Sequence, residues 1–148
     1  MINIDEQRYT DLAAFVLRIS LGIVLIAHSL YLKYFVFTLA GTASFFGSLG
    51  LYEWLAYVVF ITEIIVGAAL IIGYKTRICA IIIVPVLLGA AWAHWPNGWL
   101  FTAPNGGWEY PLYLAVTSVC VALLGDGAYS LKKSLSSQQV DPVQSSNA

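Results

Sequence analysis

The chain has 148 residues and a formal net charge of −1; 59% of its residues are hydrophobic and only 10% charged, against roughly 25% charged in soluble domains. These proportions exclude a water-soluble globule, which has to cover itself with polar surface; the net charge by itself diagnoses nothing, and no nucleic-acid partner is expected. The apolar residues come in four blocks that approach or reach the roughly 17–25 residues needed to span hydrocarbon as a helix, so the expected fold is all-α, a bundle of four transmembrane helices.

In chain order, residues 1–11 form a polar arm, and the membrane domain covers residues 12–130 with spans at 12–32, 54–73, 77–95 and 109–128. The first span is too long for a signal-peptide core, and no small-x-small cleavage site follows it. Between spans one and two, Phe35, Phe37, Phe45, Phe46 and Leu49 alternate with Gly41, Gly47 and Gly50, which predicts a short interfacial segment. Gly73–Arg77 is a tight turn, making spans two and three a helical hairpin. Pro85 removes one helical donor within span three. A structured outer loop rich in Pro, Asn and Gly joins spans three and four, and Pro111 suits the first turn of the last helix. That helix is short unless it continues through Tyr129. Residues 131–148 turn polar and read as a disordered tail.

Arg8, Lys75, Arg77, Lys132 and Lys133 fall on one side of this arrangement and only Lys33 in a loop on the other. The positive-inside rule then places both termini in the cytoplasm of a bacterial-type plasma (inner) membrane. All five tryptophans lie toward the opposite side, at the level of an interfacial aromatic belt. Cys79 and Cys120 have no metal-binding or CxxC spacing; burial by packing is the simpler account, a redox pair the alternative.

Ionisable groups inside a span are costly and call for partners. Arg18 lies roughly 9 Å and Glu63 roughly 15 Å from the inner ends of their spans, which predicts an Arg18–Glu63 pair, either a structural clamp or a site that handles protons. His28, His94, Glu53 and Glu109 gather at the outer ends with Trp92, Trp95 and Trp108. Two imidazoles and a carboxylate under an aromatic lid fit a quinone-like ring, a proton relay, or a metal or haem. Each also has a plainer role: Glu109 at a helix N-terminus, the tryptophans as interfacial anchors, and His28 as a hydrogen-bond partner for a neighbouring helix.

The run Leu17-Arg-Ile-Ser-Leu-Gly-Ile-Val-Leu-Ile-Ala-His28 resembles the first helix of the DoxX family. Gly41–Leu51, Thr62-Glu63-Ile-Ile-Val-Gly67 and Gly73-Tyr-Lys-Thr-Arg77 follow in the family's order. His94-Trp-Pro-Asn-Gly98, Gly106-Gly-Trp-Glu-Tyr110 and Gly125-Asp-Gly-Ala-Tyr-Ser130 resemble its outer loop and end. Ser29 stands where the family usually has Gly, with Lys33 following. The resemblance implies a four-helix membrane protein related to subunits of quinone-linked oxidoreductases acting on thiosulfate or thiols or in oxidative-stress defence. By analogy Arg18, His28, Glu63, His94, Asn97 and Glu109 are the site candidates. The polar groups at two depths of the bundle point to a quinone headgroup held among His28, His94 and Glu109, with Asn97 and Trp108 beside it and Glu63 and Arg18 conducting or balancing protons. A soluble or peripheral redox partner would carry the electron-accepting cofactor; a homo-oligomer is also open. The rival readings are a non-enzymatic scaffold or assembly factor, a haem-binding protein, and a small-solute carrier, the last lacking the broken-helix repeats that mark many transporters.

Overall fold

The structure, a computed structural model, describes residues 4–131. The expected tail, with Lys132 and Lys133, lies outside those residues except for Leu131. All regular structure among the described residues is helical: α1 (Ile4–Ile26), a π-helical continuation (Ala27–Val36), α2 (Leu39–Ser48), α3 (Trp54–Ile72), α4 (Thr76–Ala93), a single 3₁₀ turn (Trp95–Asn97) and α5 (Glu109–Leu124). The continuous stretch Ile4–Val36, together with α3 and α4, is long and apolar enough to cross a membrane by length and composition; α5, with 16 residues, is shorter.

Two boundaries differ from the sequence reading. The first helix is longer than the expected span at both ends, and it carries Lys33, which was expected in a loop. The last helix stops at Leu124 instead of continuing through Tyr129. Gly125 (φ +87°) and Gly127 (φ +66°) turn the chain there, and a Cβ at Gly127 would sit 2.7 Å from both Ala14 Cβ and Asp11 O. The Ala128 N–H donates to Asp11 O at 2.8 Å, so residues 125–130 fold back onto α1.

α1 packs antiparallel on α3, α3 on α4, α4 on α5, and α5 on α1, closing a ring of four; α2 lies against α3 and the π segment. Leu21, Leu25, Val66, Leu70, Ile83 and Val121 fill the centre. In lipid, helices gain little from hiding apolar surface from one another, so close backbone approach and hydrogen bonds carry the association. Gly22 and Gly67 supply the approach: a Cβ on Gly22 would lie 2.7 Å from Gly67 O, and one on Gly67 would lie 3.0 Å from Gly22 O. Ser118 Oγ adds a buried bond to Ala80 O, 2.9 Å, between α5 and α4. α3 ends at Gly73 in the left-handed region (φ +71°), with Tyr74 N bonding Ala69 O and Gly73 N bonding Leu70 O, the Schellman pattern.

Gly22→Ala is expected to lower stability by about 1–3 kcal/mol through overpacking, while Gly89→Ala, with nothing within 4 Å of its Cβ position, leaves it unchanged. Denaturant titration of the detergent-solubilised protein followed by circular dichroism checks the contrast.

Candidate functional site

Three polar centres lie along the bundle. At one end Arg18 is fully buried, 0% exposed. Its Nε donates to Asp126 O (2.9 Å), Nη1 to Leu70 O and Ile71 O (both 2.7 Å), and Nη2 to Ala128 O (2.9 Å) and Tyr129 O (3.0 Å). A guanidinium has five N–H groups, and all five are used. Two acceptors are terminal carbonyls of α3, where the helix dipole is negative; three belong to the loop after α5. Gly73 leaves room for the guanidinium, since a Cβ there would come 3.0 Å from Arg18 Cζ. Asp126 Oδ1 accepts from Thr76 N at 3.3 Å, tying the same loop to the start of α4.

The expected Arg18–Glu63 pair therefore does not form. Arg18 is level with the end of α3, and Glu63, seven residues before Leu70, lies roughly 10 Å away along the axis. Glu63 is paired instead with Lys33 Nζ, and Ser29 Oγ donates to the same oxygen, Oε2. This second centre is almost buried, with Glu63 6% exposed. Lys33 was the residue the sequence left out of the candidate set. Its signal was present, a lone Lys four residues after Ser29 with the apolar Tyr34–Val36 beyond it, but a single charge there reads equally well as a helix end.

The third centre is the aromatic end. His28 Nδ1 lies 3.1 Å from Val24 O; a carbonyl only accepts, so Nδ1 is the donor. The ring stacks on Tyr110 at 5.7 Å between centroids. His94, at the end of α4, points Nδ1 at Asn105 O (3.1 Å) and Gly106 O (3.2 Å). Asn97 Nδ2 bonds Gly106 O at 2.8 Å and lies 3.4 Å from His94 Nδ1; the shorter carbonyl contacts decide, and Asn97 donates to the loop, not to the ring. His94 and Asn97 thus hold the loop between α4 and α5 closed. Trp108 packs between Trp95 (stacked) and Trp99 (edge-on), each 4.4 Å away, and Trp108 N and Glu109 N bond Gly98 O and Trp99 O.

Beside this loop, Trp99, Phe101, Glu109, Tyr110, Leu112 and Tyr113 line an open groove of about 540 Å³. Glu109 makes no side-chain hydrogen bond or ion pair among the described residues. The sequence-predicted outer residues therefore divide: Glu109 faces the groove, His28 packs on Tyr110 of its wall, and His94, Asn97 and Trp108 build the adjoining loop. Among the described residues no three His, Cys, Asp or Glu side chains gather as a metal site, and Cys79 and Cys120 are free thiols.

The DoxX family profile matches residues 13–95. A similar curated protein, "Putative oxidoreductase CatD" of Bacillus subtilis (strain 168), is 33% identical over 116 residues, covering 78% of this chain and 81% of the relative. No solved structure matches the chain.

Arg18 and Glu63 share no partner, so their substitutions are expected to add: a double-mutant cycle of Arg18→Met and Glu63→Gln gives a coupling within about 0.5 kcal/mol of zero. The cycle of Lys33→Met with Glu63→Gln gives at least about 1 kcal/mol, as contacting residues do. Arg18→Met alone costs at least about 3 kcal/mol, since it strips a charged donor from five carbonyls. Denaturant unfolding in detergent measures all three.

Proposed function

The chain belongs to the DoxX family of membrane proteins, and we propose that it serves as the integral membrane subunit of a quinone-linked oxidoreductase. The observation that carries this reading is the groove at the aromatic end, in which the Glu109 carboxyl group, without a hydrogen-bond partner among the described residues, stands among aromatic and aliphatic side chains, one of which, Tyr110, stacks on His28. Pockets for small ligands combine mostly apolar walls with a few placed polar groups. The name of the Bacillus subtilis relative, an oxidoreductase, supports the class of chemistry.

The residues fit a quinone. Its ring needs flat apolar contacts, which Trp99, Tyr110 and Tyr113 offer. The hydroxyls of the reduced form need acceptors; Glu109 supplies one, and we assign the second to His28, which stacks on Tyr110 of the groove wall. A bound quinone would bring two-electron, two-proton redox chemistry. This chain's own residues orient the headgroup and take or return protons, while a soluble or peripheral partner carries the electron-accepting cofactor. His94, Asn97 and Trp108 act as positioning residues that fix the groove wall through the loop. Arg18, with its donors committed, holds the fold.

In this reading α5 is a fourth span. Its roughly 24 Å is extended at one end by Trp108 and at the other by the loop packed on Arg18. In the same reading the Arg18 end and both termini face the cytoplasm and the groove opens on the outer side of a bacterial plasma membrane, an orientation that the distribution of Lys and Arg supports. A non-enzymatic scaffold is the second reading, favoured by the saturation of Arg18, which is a purely structural use of a buried charge.

Quinone-analogue binding to the purified protein separates the two. Wild type is expected to bind, and Glu109→Gln or His28→Ala to bind about tenfold more weakly, the effect of losing about 1.4 kcal/mol of interaction. Absence of binding to wild type overturns the quinone reading and leaves the scaffold.

A further inference from the structure

Glu63 lies nine residues from each end of α3, roughly 14 Å from both, so its carboxylate is near the middle of the bundle's length. Ser29 Oγ and Lys33 Nζ converge on Oε2; Oε1 accepts no hydrogen bond among the described residues. Nor is Oε1 sealed in, because the one fully buried, unpartnered side-chain polar atom among those residues is Thr76 Oγ1.

Lys33 does not start at that depth. Ser29 Oγ also reaches Phe60 O, at 3.5 Å, and the helices run antiparallel. Lys33, four residues further on, is therefore level with the first half of α3, where its neighbour Tyr34 stacks on Phe60. Its side chain runs back toward the middle of the bundle, opposite to the direction in which lysines at helix ends normally snorkel. It keeps 19% exposure, and the pairing with Glu63 is what draws it inward.

A lone carboxylate or a lone ammonium at that depth is costly. Two arrangements avoid both: a Glu63 carboxylate with the Lys33 ammonium beside it, or a neutral Glu63 carboxylic acid with the ammonium turned out to the near membrane surface. We infer that Glu63 Oε1 is a proton-binding site whose occupancy is coupled to the position of Lys33. One proton binds Oε1, the ammonium leaves Oε2 still protonated, and Ser29 stays hydrogen-bonded to the neutral carboxyl group. One positive charge enters the middle of the bundle as another leaves; no electron moves and no covalent bond other than O–H forms.

The surroundings are sparse in competing charges. α2 carries no titratable residue between Leu39 and Ser48. α3 adds only Tyr57, the π segment adds His28, Tyr31 and Tyr34, α4 has only Arg77 and Cys79 in its first turn, and α1 has Asp5, Glu6, Arg8, Tyr9 and Asp11 in its first two turns and Arg18 beyond them. His28 stacks on Tyr110, on the helix that Glu109 begins, and Arg18 is held by five carbonyls at the other end. Of all these groups only Lys33 bonds Glu63. The inference stands on this geometry and does not depend on a quinone binding in the groove.

The full chain in lipid nanodiscs provides the test. Infrared difference spectra between neutral and acidic pH are expected to show a carboxylic-acid C=O band that is missing in Glu63→Gln, and in Lys33→Met the band is expected to be present already at neutral pH. At one fixed, mildly alkaline pH, acylation of Lys33 by a membrane-impermeant amine reagent, read by mass spectrometry, is expected to rise about tenfold or more in Glu63→Gln, as loss of a buried partner implies. No acid-induced band assignable to Glu63, or Lys33 acylation unchanged by Glu63→Gln, overturns the inference. If Glu63→Gln does not fold, Lys33→Met decides: a carboxylic acid at neutral pH supports the coupling, and a carboxylate overturns it.

Discussion

The guanidinium of Arg18 directs each of its five N–H groups to a backbone carbonyl, two at the end of α3 and three in the loop that follows α5. A buried charge needs this degree of satisfaction. Here it also solves a second problem, because a helix end leaves carbonyls without partners. One side chain from α1 thereby fastens α3 and the last described stretch of chain, and through Asp126 and Thr76 N it reaches the start of α4. Three helix ends meet at one cation.

Because Arg18 has no donor left, Glu63 must find its counter-charge elsewhere, and Lys33 is the residue that reaches it. The consequences run along the first helix. Lys33 is held inward, and the helix continues to Val36 with its last ten residues in π winding, an irregularity often associated with functional sites. Adjacent residues of that segment face different neighbours: Ser29 bonds Glu63 on α3, and His28 stacks against Tyr110 on α5. The same segment thus contributes to the charged centre and to the wall of the groove. The loop between α4 and α5, closed by His94, Asn97 and the packed tryptophans Trp95, Trp99 and Trp108, completes that wall with Trp99 and Phe101.

Much of this was legible in the sequence. The apolar runs located α3 and α4 to within one or two residues, because Gly73 and the Gly73–Arg77 turn mark the break sharply. The stretch of spaced Phe and Gly between the first two long helices forms α2. Less was legible where backbone groups decide the outcome. Depth along a span paired Arg18 with Glu63, yet the competing acceptors were main-chain carbonyls, which leave no mark on residue type. The Gly125-Asp126-Gly127 run that exposes three of them was available as a stop signal, but the need for a full-length fourth span outweighed it. π winding has no compositional signature, so Lys33 read as the end of a helix when it lies inside one. At the aromatic end, where composition groups His28, His94 and Glu109, His28 stacks on Tyr110 and His94 bonds the loop carbonyls of Asn105 and Gly106. Only coordinates separate the residue that faces the groove from those that shape its rim.

The central claim is that Lys33, and not Arg18, neutralises Glu63 inside the bundle. Its most direct measurement is a solid-state NMR dipolar-recoupling distance between the ¹⁵N of Lys33 Nζ and the ¹³C of the Glu63 carboxyl group, taken on the full chain in lipid bilayers. The account predicts a contact distance of about 3–4 Å, that of a direct ion pair. No measurable Lys33–Glu63 coupling, together with a short distance from the Glu63 carboxyl carbon to the Arg18 guanidinium nitrogens, would contradict it.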